Sequence, residues 1–365
     1  VKHRIAGLFL TLGSIVSPCS AAEAIHWKEE TRVLVQPGGQ YGRMARLDKE
    51  TLLCAFTWKR ALQIRRSSDQ GHTWSDPQEI TAWAPGSLAN AELLVLKNGD
   101  VLAFFNRRPG SDSKEPHSIG CCRSTDRAAA WSAPITIYGG DAKMDKGCWE
   151  PAALELPDGR IAVWFANENP FPKSHEQEIS ITFSSDRGLT WTAPKRFSCR
   201  AGSRDGMPVP VLSADAKSIF VAIEDNGLSG AFKPVILTTP SAGSFSPIDA
   251  RSPHRHAALA TPLPALAYAG APYLRILPGG SAVLSFQLAD SGNMRESRMA
   301  VCLGDPQARS FGPPSFPFPA ATGAPAQLWN ALLIKNPKTV TAISETTLDS
   351  KPGIWAIDGE ILNAP

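Results

Sequence analysis

No charge of one sign prevails in this chain of 365 residues, where 37 Lys and Arg stand against 34 Asp and Glu for a net of +3. That balance, with no basic stripe, leaves nothing to follow a nucleic-acid backbone. No mature segment holds the roughly 20 consecutive apolar residues that span a bilayer. The N-terminal apolar run, Ile5 to Val16, follows Lys2, His3 and Arg4 and precedes the small-residue stretch Ser20 to Ala24. This is the pattern of a secretory signal peptide over residues 1–24, so a secreted or periplasmic protein, off the membrane once the signal is removed, is expected. Val16-Ser17-Pro18 before Cys19 is a poor lipobox. The cysteines that would remain, Cys54, Cys121, Cys122, Cys148, Cys199 and Cys302, lack the close pairing of a zinc site. Most lie in apolar, strand-like runs and are expected as buried thiols. Also missing are a His-Glu-x-x-His pair, a strand-to-helix phosphate loop and a nucleophilic serine elbow, and His254-Arg255-His256 reads as a solvated loop. No metal and no cofactor is expected.

What is present is turn-rich and indole-rich: 29 Gly, 31 Pro and 10 Trp, with 43% hydrophobic and 19% charged residues. Such a composition excludes disorder and fits many short strands better than helices. A repeat organises it. Ser67-Ser68-Asp69-Gln70-Gly71-His72-Thr73-Trp74 returns as Ser184-Ser185-Asp186-Arg187-Gly188-Leu189-Thr190-Trp191, and Ser124 to Trp131 is a worn copy without the Gly and Thr. Asp and Ser tie a tight turn, Gly supplies a positive φ, and Trp buries its indole between units. The pattern resembles the Asp box of sialidase-type β-propellers, and as a rim turn it speaks for fold and not for substrate.

In step with the boxes run hairpins, two apolar strands around a Gly or Asp turn. They are Tyr41 to Trp58, Ala91 to Asn106, Pro151 to Asn167, Met207 to Glu224, Ala271 to Gln287 and Trp329 to Glu345. Six such units predict an all-β chain, a single six-bladed β-propeller of sialidase-like type over residues 25–365, with four strands per blade. Ile25 to Gln36 is placed to pair in the last blade and close the ring. Leu237 to Leu266 has no clear strand pair and is expected to be a long loop or insertion between blades four and five.

In a propeller the innermost strands line a channel, and polar groups from all blades converge there. The first-strand starts offer Arg43, Asn90, Glu150, Arg204 or Asp205, Tyr273 and Asn330. The second-strand ends offer Trp58, Asn106, Asn167 or Glu168, Glu224, Gln287 and Glu345. Glu150 precedes an apolar strand and Glu224 ends one, where neither charge has a packing role. Two carboxyls are what glycoside hydrolysis requires, one to protonate the leaving oxygen and one to attack or to activate water.

At Gly147-Cys148-Trp149-Glu150-Pro151, Leu156-Pro157-Asp158-Gly159, Asp205-Gly206-Met207-Pro208, Gly270-Ala271-Pro272-Tyr273 and Trp329-Asn330 the chain resembles glycoside hydrolase family 93. The resemblance covers residues 36 to 345. It implies an exo-acting, retaining hydrolase of α-1,5-linked arabinan, with Glu150 and Glu224 as the catalytic pair about 5–5.5 Å apart. We lean to Glu150 as nucleophile and Glu224 as acid/base. Arg43, Asn90, Trp149, Arg204, Asp205, Tyr273, Gln287 and Asn330 are the expected contacts to an oligo- or polysaccharide, in a monomer. A sialidase is the alternative; it needs three Arg, for which Arg43, Arg204 and Arg275 are loose candidates, and a Tyr nucleophile where the last blade shows Trp329-Asn330. A non-catalytic carbohydrate-binding propeller, with Trp58, Trp149 and Trp329 stacking on a glycan, is the second.

Overall fold

The computed structural model describes residues 24–320 and 326–362, so the signal segment falls outside the described residues except for Ala24. Strand β1 (Ile25–Pro37) opens the chain, and six antiparallel sheets follow around one axis. Blade one holds β2 (Gln40–Arg46), β3 (Leu52–Trp58), β4 (Ala61–Ser67) and β5 (Gln78–Thr81). Blade two holds β6 (Gly86–Val95), β7 (Val101–Pro109), β8 (Ser118–Ser124) and β9 (Ile135–Gly139). Blade three holds β10 (Cys148–Glu155), β11 (Ile161–Asn167), β12 (Glu178–Ser184) and β13 (Lys195–Ser198). Blade four holds β14 (Asp205–Leu212), β15 (Ser218–Asp225), β16 (Lys233–Pro240) and β17 (Arg255–Ala257). Blade five has three strands, β18 (Tyr268–Ile276), β19 (Ala282–Ala289) and β20 (Arg298–Gly304). Blade six is β21 (Leu328–Asn336), β22 (Thr339–Leu348), β23 (Lys351–Ile361) and, as its fourth strand, β1. The pairing of β1 with β23 runs from Ile25↔Ile361 to Pro37↔Gly353 and closes the ring as the sequence predicts.

Each sheet packs a neighbour on both faces, and this explains the composition of the second strands. Leu52 to Phe56 and Ile161 to Ala166 are apolar without alternation and fully buried, because neither face meets water. One apolar cluster joins blades one and two, a second blades two and three, a third blades three and four, and a fourth runs from blade four through six to one. The six thiols are unpaired, five of them buried.

The stretch from Leu237 to Leu266 is not an insertion between blades. Leu237 lies in β16, and Arg255 to Ala257 form β17, so most of it completes blade four. The pattern was hidden because β17 has three residues and its first, Arg255, is a buried charge in place of an apolar anchor. Arg255 is therefore no part of a solvated loop. In blade five a fourth strand is replaced by irregular chain bridging Val301 to Ser315 and Gly304 to Phe311.

The rim turns behave as the repeat implies. Asp69 accepts from the Thr73 amide at 2.9 Å and Ser67 Oγ from the Gly71 amide at 2.8 Å, with Asp186 and Ser184 repeating both distances. The worn copy keeps the geometry: Ala128 adopts φ 63° where glycine stands in the others, and its amide still reaches Ser124 Oγ at 2.8 Å.

Candidate active site

The channel mouth is built by one irregularity repeated six times. Each first strand carries a single residue in the left-handed region: Tyr41 (φ 55°), Asn90 (52°), Glu150 (57°), Met207 (51°), Ala271 (50°) and Trp329 (51°). Each sits at a register shift between strands one and two of its blade. A bulge of this kind turns the strand and re-aims a side chain. For a residue other than glycine it costs about 1–2 kcal/mol. Here it turns one residue per blade toward the axis, and Tyr41, Met207, Ala271 and Trp329 meet there as a small apolar cluster.

The bulged amides leave the ladder and find side chains of the preceding blade. Tyr41 N–H donates to Glu345 at 3.2 Å, Ala271 N–H to Glu224 at 2.8 Å and Trp329 N–H to Gln287 at 2.7 Å. Glu224, Gln287 and Glu345 hold equivalent places, each opposite the residue before its own blade's bulge. Blade three has Ala166 at that place, and there Glu150 itself accepts the Met207 amide, at 3.0 Å. The two carboxyls thus arise from different positions on neighbouring blades.

Glu224 stands between two glycines. A Cβ added to Gly206 would lie 2.9 Å from its Oε1, and one added to Gly270 would lie 2.5 Å from its Oε2 and 2.5 Å from the Tyr268 hydroxyl. Burial pushes the Glu224 carboxyl up to about 8, the negative charge of Glu150 adds to the rise, and the Ala271 amide opposes it. Burial raises Glu150 as well, against the Met207 amide and the charges of Arg108 and Arg204. Arg204 and one amide favour the charged form of each carboxyl, and Arg108 acts on Glu150 in addition, which biases the shared proton toward Glu224. Two neighbouring carboxyls whose surroundings pull their proton affinities apart are the arrangement from which acid/base division can arise.

Arg108 was not anticipated from the sequence. Its guanidinium donates to Asn90 Oδ1 at 2.7 Å and Asn106 Oδ1 at 3.0 Å and lies 5.3 Å from the Trp149 ring centre. The signal lay in the strand period: Arg108 is two residues past Asn106 on the same strand, so both share a face. Arg204 donates to Gln177 Oε1 at 2.6 Å and pairs with Glu168. Beside the carboxyls opens a cleft of about 340 Å³ whose lining includes Tyr41, Trp58, Asn90, Arg108 and Trp329.

Of the residues expected to touch a glycan, Asn90 and Arg204 share this mouth with the two carboxyls. Arg43 and Tyr273 lie one layer deeper, because the bulge gives the mouth positions to Tyr41 and Ala271 two residues earlier. Both are buried; Arg43 Nε is 3.7 Å from Glu92, and the Tyr273 hydroxyl donates to Glu92 at 3.4 Å. Asp205 is not in the channel. It is buried against Arg255, which bridges it to Asp225 at 2.5 Å on each side. Trp149 is buried beneath Arg108 and against His117, with 4.8 Å between ring centres. Gln287 is a buried latch, and Asn330, one residue past the bulge, is buried with both amide atoms unpartnered among the described residues. At the second-strand ends the paired positions are Thr57 and Ala166 rather than Trp58 and Asn167 or Glu168. Among the described residues no three His, Cys, Asp or Glu gather as metal ligands would.

No family profile and no curated protein matches the chain. Solved structures do. A protein of unknown function from Dyadobacter fermentans superposes with a TM-score of 0.70 at 13% identity, covering 93% of this chain and 100% of that one. The family 93 α-L-arabinofuranosidase of Fusarium graminearum, in complex with arabinobiose, gives 0.64 at 16%, covering 90% and 97%. A Hadza microbial sialidase gives 0.61 at 16%, covering 89% and 66%. At such identities the likeness establishes the fold, a six-bladed propeller shared with glycoside hydrolases.

Proposed function

We propose that the protein is an exported glycoside hydrolase, retaining and exo-acting on an α-linked arabinan or related glycan, with Glu224 as acid/base and Glu150 as nucleophile. The observation that carries this reading is the pair of carboxyls that neighbouring blades bring to the channel mouth, Glu150 held by the Met207 amide and Glu224 by the Ala271 amide, with burial raising Glu224 to about 8. Glu224 gives its proton to the glycosidic oxygen as the bond to the anomeric carbon breaks, while Glu150 forms a bond to that carbon and holds the sugar as an ester. Water then attacks the same carbon, ionised Glu224 takes the water's proton, and the Glu150 carboxylate is released. Glu224 Oε2 is engaged by the Ala271 amide and Glu150 Oε2 by the Met207 amide, which leaves Oε1 of each for the chemistry. Arg108 and Arg204 favour the ionised form of Glu150 against its burial.

A carbohydrate-binding propeller is the competing reading, favoured by one observation: Glu224 makes the same inter-blade latch as Gln287 and Glu345, so a carboxyl there also serves the fold. For a sialidase the geometry offers less. Arg204 is at the mouth, Arg43 is a layer below, and Arg275 lines a cavity with Leu94, Leu154 and Val211, further along the first strands, so the three do not meet on one carboxylate.

The deciding assay is release of arabinobiose from linear α-1,5-arabinan, beside a sialoside, by the wild type, Glu150→Gln and Glu224→Gln. The expected result is arabinobiose from the wild type only, each variant losing about 10²–10⁴ in kcat. Sialic acid release would replace the substrate class, and inactivity on both substrates, with retained glycan binding, would leave the binding protein.

A further inference from the structure

We propose that the cleft beside the carboxyl pair receives an anionic substituent of the glycan, a carboxylate of the uronate type or a sulfate ester, on a sugar adjoining the one cleaved. The inference rests on the glycoside hydrolase reading for its chemistry, and on the cleft alone for its charge preference. Lys59, Arg60 and Arg108 line this cleft, and no Asp or Glu does. The hydrogen-bond and ring partners of these cations are uncharged, and Arg108 alone has a carboxyl, Glu150, as a neighbouring charge. Lys59 Nζ lies 4.0 Å from the Trp58 ring centre, Arg60 donates to the Gly86 carbonyl at 2.9 Å, and Arg108 donates to the side-chain oxygens of Asn90 and Asn106. Of the carboxyls around the mouth, Glu345 accepts from Tyr41 N–H and Gln40, and Glu150 accepts from Met207 N–H and has Arg108 as a neighbouring charge.

The backbone supplies an independent argument. Lys59 and Arg60 form the whole two-residue turn between β3 and β4, with φ of 49° and 69°. Two successive positive φ values define the hairpin turn for which Asn-Gly is the natural occupant, and long side chains are strained there. Local preference is overridden to place two cations on the wall of a cleft that Tyr41 and Trp329 also line, their ring centres 5.8 Å apart. Aromatic faces take the apolar side of a sugar ring, and guanidinium and ammonium groups take a carboxylate or sulfate by charge-assisted hydrogen bonds. A neutral sugar in the same cleft would leave Lys59 and Arg60 without a counter-charge.

The test uses full-length mature protein carrying Glu224→Gln, so that bound glycans persist, titrated by calorimetry with matched oligosaccharides. One arm pairs uronate-bearing oligosaccharides with their carboxyl-reduced forms, and the other pairs sulfated with desulfated forms. The expected result is that the acidic member of at least one arm binds about tenfold or more tightly, equivalent to about 1.4 kcal/mol, with the difference shrinking as salt is raised. Adding Lys59→Asn and Arg60→Gly removes both charges while giving the turn its preferred residues, so the melting temperature should hold or rise as the preference disappears. Equal binding within every pair, no binding of any member at millimolar ligand, or a preference untouched by the two turn substitutions overturns the proposal. Cleavage of the same oligosaccharides by the wild type is scored separately. Selective binding without cleavage would sink the hydrolase reading alone, and cleavage without selectivity would sink only the charge preference.

Discussion

Glu224 carries the sharpest consequences at the scale of single residues. Its ordinary carboxyl value is 4.5 and burial raises it to about 8, so between those pH values the folded protein binds more protons than the unfolded chain. Stability then falls as pH rises through that window and is unaffected by this group below it. Glu224→Gln should therefore melt above the wild type at pH 8, by on the order of 1–3 kcal/mol, and converge with it near pH 4. Gln287, which makes the same latch one blade on, shows that an amide satisfies the site. Thermal melts at the two pH values check this, and equal shifts at both would remove the raised acid. In activity the same group sets the alkaline limb: kcat/KM should decline above about pH 8 as Glu224 loses its proton, while protonation of Glu150 closes the acid side. Both carboxyls were legible in the sequence as charges ending or preceding apolar strands. Asp205 was read as a substrate contact, and nothing local marked it as the partner of Arg255, fifty positions away.

At the scale of elements, the Asp-box turns differ in what surrounds their glycines. Gly71 and Gly188 share φ values of 91° and 90°, but a Cβ on Gly71 meets nothing closer than 3.6 Å, whereas one on Gly188 falls 2.5 Å from Leu102 Cδ2. Gly71→Ala should cost about 1 kcal/mol, the left-handed penalty alone. Gly188→Ala should cost about 2–4 kcal/mol, since the Leu102 side chain must also move. Urea unfolding of the two variants checks the order, and equal losses would mean that Leu102 repacks freely. The hairpins were readable from apolar runs and Asn-Gly or Asp-Gly turns. The six bulges were not: left-handed residues as unlike as Tyr41, Asn90, Glu150, Met207, Ala271 and Trp329 share no local signature. Missing them shifted Arg43 and Tyr273 by two residues, which preserves the face and changes the depth.

For the whole molecule the decisive contact is the last one made. Strand β1 pairs only with β23, bringing together the two ends of the described chain. Without it blade six would expose the edge of β23, and Val35 and Ile25 would leave the cluster that joins blades four, five, six and one. A chain beginning at Gly38 should lose cooperative unfolding and show concentration-dependent association through the open edge. Calorimetry with light scattering checks this, and a single sharp monomeric transition would show that the ring holds without its closure. The same ring unites Glu150 and Glu224, whose blades pack through Ile179, Ile181, Ile219 and Val221.

What the sequence determined by itself was everything set by short-range pattern: the all-β class, the number of blades, the rim turns, the closing strand and the place of two glutamates at the ends of apolar strands. Each depends on residues a few positions apart, where hydrogen-bonding reach and the two-residue period of a strand act directly. Tertiary structure decided which polar groups share the mouth and how they are charged. Depth in the channel depends on a backbone irregularity shared by six distant segments, and the raised carboxyl of Glu224 depends first on its burial and then on a neighbour 74 residues earlier, across a boundary between blades that only the closed ring creates.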